Sequence, residues 1–139
     1  MDLLDNNPAI QYNIDHYSQT FLSLIPETGF SSHSVFLSEK IWKSIRVGHP
    51  FIVVGNPGTL TELHNLGFKT FGDWWDESYD TIIDPCQRMD AVLSVADTIL
   101  NYTFEELTEI KKQMAPTLLH NRNILRTGEF RQHMIKERL

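Results

Sequence analysis

Cysteine is almost missing from this chain: Cys86 stands alone among 139 residues. An internal disulfide is therefore excluded, and a thiolate-rich structural zinc site with it. No apolar run approaches the roughly 20 residues that a bilayer-spanning helix needs. The start, MDLLDNNPAI, lacks the basic-then-apolar layout of a secretory signal, so a cytoplasmic location is expected, with no membrane partner. No low-complexity linker or internal repeat is present. G-x-S-x-G and Walker-type loops are absent, and none of the six histidines stands in a metal-ligand spacing. Positive charge is scarce as well, since the first basic residue is Lys40.

What is there fits one domain with one modest core. Hydrophobic residues make up 41% and charged residues 22%. The net charge of −6 is uneven: through Ile110 there are 5 basic and 16 acidic residues, and from Lys111 onward 7 basic and 2 acidic. A basic end can serve as a nucleic-acid arm, but the acidic body repels phosphate backbone and the tail offers few aromatic rings for stacking. Nucleic acid is accordingly not expected as a partner. The basic segment 120–139 is expected to be helical, with a break near Gly128, and to pack on an acidic surface, its own or a partner's.

Residues 1–19 read as irregular. TFLSLIP (Thr20–Pro26) reads as a strand ended by proline, and ETGFSSHSVF as a loop. A helix is expected from Ser38 to Gly48, with Ser38 as its N-cap and Leu37 and Trp42 as a hydrophobic staple. PFIVVG (Pro50–Gly55) has no alternation, as suits a strand covered on both faces. NPGTLTELHNLG predicts a helix capped by Asn56, with Pro57 in its first turn and Gly67 at its end. FKTF (Phe68–Phe71) predicts a third short strand. Two helices follow, at 84–101 and 104–119, the first with Met89, Val92, Leu93, Ala96 and Leu100 on its inner face. Alternation of this kind implies an α/β fold: a partial doubly wound, Rossmann-like, three-layer domain with a short parallel sheet and C-terminal helices. Ligands in such sheets bind beyond the carboxyl ends of the strands. Pro26–Thr28, Gly55–Gly58 and Gly72–Trp75 are then the places to look.

Lys40 falls in the first turn of the Ser38–Gly48 helix, where a cation opposes the helix dipole by about 0.3–1 kcal/mol. A phosphate there would reverse the sign, accepting hydrogen bonds from free N–H groups and pairing with the ammonium. Glu39 points elsewhere around the helix, and a carboxylate suits the paired hydroxyls of a ribose. A plainer reading stands beside this one: Glu39 and Lys43 are spaced for an ordinary surface pair, and Lys40 is solvated.

The stretch FLSEKIWKSIRVGHPFIVVG resembles the donor-binding motif of the alpha-1,3-fucosyltransferases. Ser38, Glu39, Lys40, Trp42, Lys43, Gly48, Pro50, Val53 and Gly55 fall in step with it. Upstream, SLIPET stands where that family has a strand ending in F-E-N, so Glu27 matches its glutamate and Thr28 replaces its asparagine. The similarity covers about Phe21 to Asp80, and the same tract looks like a group of uncharacterised phage and bacterial proteins. The resemblance implies one half of a GT-B type glycosyltransferase that binds a nucleotide-sugar, GDP-fucose in the named family, as substrate and without a metal. Glu39 is then expected on the ribose, Lys40 on the diphosphate and Glu27 near the sugar, with Lys43 and Asn56 assisting. The acceptor-binding half, its general base and the family's diphosphate-holding arginine have no counterpart in this chain. The alternative is a non-catalytic interaction module that uses the same scaffold to self-associate as a homo-oligomer.

Two further clusters carry open readings. Asp73, Asp76, Glu77 and Asp80 can hold a hard cation or can cap and pre-charge the next helix. Trp74 and Trp75 can stack on a base or sugar, or one can fill the core while the other covers the domain face.

Overall fold

The computed structural model describes residues 17–27, 35 and 37–132. Residues 28–34 and 36 of the expected loop (27–36), residues 1–16 of the irregular start (1–19) and residues 133–139 of the basic tail lie outside the described residues.

Two short strands form the sheet. β1 (Ser23–Pro26) runs parallel to β2 (Phe51–Val54), pairing Ser23 with Phe51 and Pro26 with Val54. Phe51, Ile52 and Val53 are all buried, as the absence of alternation predicts. Helix α1 (Glu39–Val47) connects the strands. Its inner residues Ile41, Ser44 and Ile45 are buried, and Trp42 stacks at a tilt on Phe68 and Phe130. Ser38 caps its start. Gly48 ends it in the left-handed region, at φ 69°, a conformation that side chains with a Cβ avoid.

After β2 come α2 (Thr59–Asn65), a 3₁₀ turn at Ser78–Thr81, α3 (Pro85–Leu100) and α4 (Phe104–Thr127). This is a mixed α/β arrangement in which helix predominates over a small parallel sheet. No helix among the described residues is long and apolar enough to cross a membrane.

Four expectations need correction. Phe68–Phe71 forms no strand. Its aromatic rings are buried, but its backbone partner is a side chain: Asn121 accepts from the Lys69 N–H at 2.8 Å and donates to the Lys69 carbonyl at 2.8 Å. Helix α2 starts later than expected, with Gly58 rather than Asn56 as N-cap and Pro57 outside it. Its capping oxygens come from Asp80, which accepts from the N–H groups of Leu60 and Thr61. On α3 the buried residues are Arg88, Val92, Val95 and Ile99, whereas Leu93 and Leu100 are 55% and 82% exposed. Finally, the helix expected at 104–119 and the helical segment expected from His120 are one element, α4, which runs through Pro116 to Thr127 and is closed by Gly128, where the break was expected. The buried series 88, 92, 95 and 99, spaced four, three and four, sets the inner face of α3, and its first member is an arginine.

Candidate functional site

The carboxyl ends of β1 and β2 lie side by side, joined by a hydrogen bond from the Glu27 N–H to the Val54 carbonyl (2.9 Å). Glu27 is only 7% exposed. Its Oε1 accepts from the Ser38 hydroxyl at 2.8 Å and from the Ser38 N–H at 3.3 Å. The same Ser38 Oγ accepts from the Lys40 N–H at 3.2 Å. A carboxylate thus already sits at the start of α1, through the capping serine, and offsets the positive end of the helix. Oε2 of Glu27 is buried and has no hydrogen-bond partner among the described residues. A buried carboxylate oxygen without a donor is costly, by about 1–3 kcal/mol or more, so a site that supplies a donor stabilises it.

Gly55 makes this approach possible. A Cβ there would lie 3.3 Å from Glu27 Cβ, 3.3 Å from Val53 Cγ1 and 3.4 Å from Thr59 Oγ1. The Gly55 carbonyl accepts from Nε of Arg88 at 3.0 Å. Arg88 is 2% exposed, and its Nη1 donates to the carbonyls of Ile82 (2.8 Å) and Ile83 (2.9 Å). This guanidinium fastens the end of β2 to the chain entering α3. It was missed in the sequence because a lone arginine between Cys86 and Met89 looks solvent-facing. The signal was available: Arg88 keeps step with Val92, Val95 and Ile99.

The five residues singled out from sequence are only partly brought together. Glu27 and Asn56 are buried at the strand ends. The Asn56 carbonyl accepts from the Thr59 hydroxyl at 2.7 Å, so its backbone shapes the β2–α2 turn instead of capping the helix. Lys40 is exposed in the first turn of α1. Glu39 and Lys43 face another way, into a groove of about 840 Å³ between α1 and the last turns of α4. Trp42 and Arg46 line the same wall of α1, and Arg122, Arg126 and Arg131 line the other side.

The acidic loop resolves into separate tasks. Asp80 caps α2, as described, and not the helix that follows, which Asp84 caps. Asp76 accepts from the Ser78 N–H, which holds its carboxyl below the usual range. Glu77 is turned inward and accepts from the Thr70 hydroxyl at 2.6 Å; burial pushes its carboxyl up. Among the described residues no group of three or more His, Cys, Asp or Glu is arranged to hold a metal ion. Trp75 packs on Phe71 in the core, while the half-buried Trp74 donates to Gln113 at 3.1 Å. The plain reading of the tryptophan pair therefore holds.

Comparison of the chain with protein-family models, with curated proteins and with solved structures finds no match to any of them.

Proposed function

We propose that this chain is the nucleotide-sugar-binding half of a glycosyltransferase resembling the alpha-1,3-fucosyltransferases. The observation that carries the reading is the buried Oε2 of Glu27, without a hydrogen-bond partner among the described residues, at the carboxyl ends of two parallel strands, beside the start of α1. Strand ends of this kind are where α/β sheets take ligands. A sugar hydroxyl would donate to Oε2. The exposed Lys40 ammonium would pair with the diphosphate. Asn56, Lys43 and Glu39 are not needed for this arrangement, since the first is buried in a turn and the other two face the groove.

The reaction would transfer a hexose, fucose being the case suggested by the resemblance, from a nucleoside diphosphate to a hydroxyl acceptor. The bond from anomeric carbon to diphosphate oxygen breaks, and a bond to the acceptor oxygen forms. The acceptor's proton goes to a base supplied by an acceptor-binding domain. Lys40 would stabilise the charge that grows on the leaving diphosphate.

Thermal unfolding with nucleoside diphosphates tests the proposal. GDP or UDP at millimolar concentration is expected to raise the melting temperature, and Lys40→Ala is expected to remove that rise. If no nucleoside diphosphate moves the transition, the reading fails. The alternative, a self-associating module, is favoured by one feature: Leu24 on β1 is 52% exposed on a sheet of only two described strands.

A further inference from the structure

The groove between α1 and the end of α4 collects charge that the rest of the chain lacks. Its lining includes Lys43, Arg46, Arg122, Arg126 and Arg131, against Glu39 as the one acidic residue among them. These five are drawn from only 12 lysines and arginines in a chain of net charge −6. Two come from the first 110 residues, which hold just five basic residues in all. The fold therefore brings cations from distant segments to one concave surface. A concave surface lined with one sign of charge focuses the field and concentrates counter-ions.

The shape says what kind of anion fits. Arg122 and Arg126 are one turn apart on α4, a rise of about 6 Å. Lys43 faces them from α1. Arginine offers a planar fork that grips phosphoryl oxygens in pairs. The volume, about 840 Å³, is that of a small-molecule site. Half-buried Trp42 adds an apolar wall. Phe130 is buried against Trp42 and Phe68, so it offers no free face on which successive bases of a strand would stack.

We infer that this groove is an anion site, separate from the strand-end site, that takes a compact ligand carrying two or more phosphoryl groups. Neither Glu27 nor Lys40 lines it.

Inorganic pyrophosphate titrated into the full chain, followed by calorimetry at several salt concentrations, tests the inference. Saturable binding that weakens as salt rises is expected. The double variant Arg126→Ala, Arg131→Ala should bind about a hundredfold more weakly, since each charged hydrogen bond lost is worth about tenfold. Both side chains are exposed, and circular dichroism checks the fold. Arg126→Lys with Arg131→Lys should recover part of the affinity. Lys112→Ala, at an exposed cation outside the groove lining, should leave it within about twofold. The inference is overturned by absence of binding at millimolar pyrophosphate, by full affinity in the alanine pair, or by an equal loss on Lys112→Ala alone. A single-stranded oligonucleotide that binds more tightly than pyrophosphate and depends on the same arginines also overturns it. Failure of the nucleoside diphosphates to stabilise the chain through Lys40 would leave these outcomes unchanged.

Discussion

Replacing Arg88 with methionine keeps the length of the side chain but removes the donors to three carbonyls, those of Gly55, Ile82 and Ile83. Buried acceptors left without donors make this expensive, and a loss of about 3 kcal/mol or more in urea denaturation is expected. His49 sets a second expectation. It is buried, with Ser23 Oγ at 2.8 Å from Nδ1 and the Thr20 carbonyl at 3.0 Å from Nε2, so Nε2 carries the proton and Nδ1 accepts. Burial lowers its pKa below the ordinary 6.5, and Lys111 adds to this. The unfolded chain then binds the extra proton more readily than the folded one. The stability contributed by neutral His49 is complete above about pH 6.5 and drains away as pH falls toward the lowered folded value. Urea midpoints measured from pH 7.5 to 5 should fall, and His49→Gln should flatten that slope. At this scale the sequence was only partly legible. The Ser38 cap and the burial of Ile41 and Ile45 follow from local pattern. The pairing of Glu27 with Ser38 across 11 positions does not, because no local rule names the partner of a carboxylate.

Elements with strong end signals read well. The opening of α4 has both halves of a capping box: Thr103 accepts from the Glu106 N–H at 3.1 Å, and Glu106 accepts from the Thr103 N–H at 2.7 Å. Thr103→Ala is expected to cost about 1 kcal/mol in thermal or urea unfolding. Its far end was less legible. Local pattern divides it at Leu119, yet packing against α1 keeps the helix continuous through Pro116 to Thr127. The segment at Phe68–Phe71 is the opposite case. Its aromatic residues have strand character, and two of them do enter the core. What decides against a strand is the backbone partner, an amide side chain that lies 52 residues away. Asn121→Leu, close in size and without donors or acceptors, should therefore cost about 2 kcal/mol or more by leaving the Lys69 peptide groups unpaired.

For the molecule as a whole, alternation of strand and helix gave the α/β class and the parallel pairing of β1 with β2. The number of strands was not available from it, since pairing partners are set by tertiary contacts. Large apolar side chains stay in solvent: Leu24 at 52%, Leu100 at 82% and Phe104 at 81% exposed. If self-association covers β1, light scattering at increasing concentration should show a species larger than 16.1 kDa, and Leu24→Lys should return it to monomer. A concentration-independent monomer would remove that reading and leave nucleotide-sugar binding to stand on the Lys40 test.

The Asn121 amide has one more implication, for synthesis. A ribosome makes this protein from the amino end, so residue 121 emerges well after Lys69. Until then the Lys69 peptide groups must stay hydrated, and the groove has only its α1 wall. The domain should therefore lock together late and as one unit, after most of its secondary structure has had time to form.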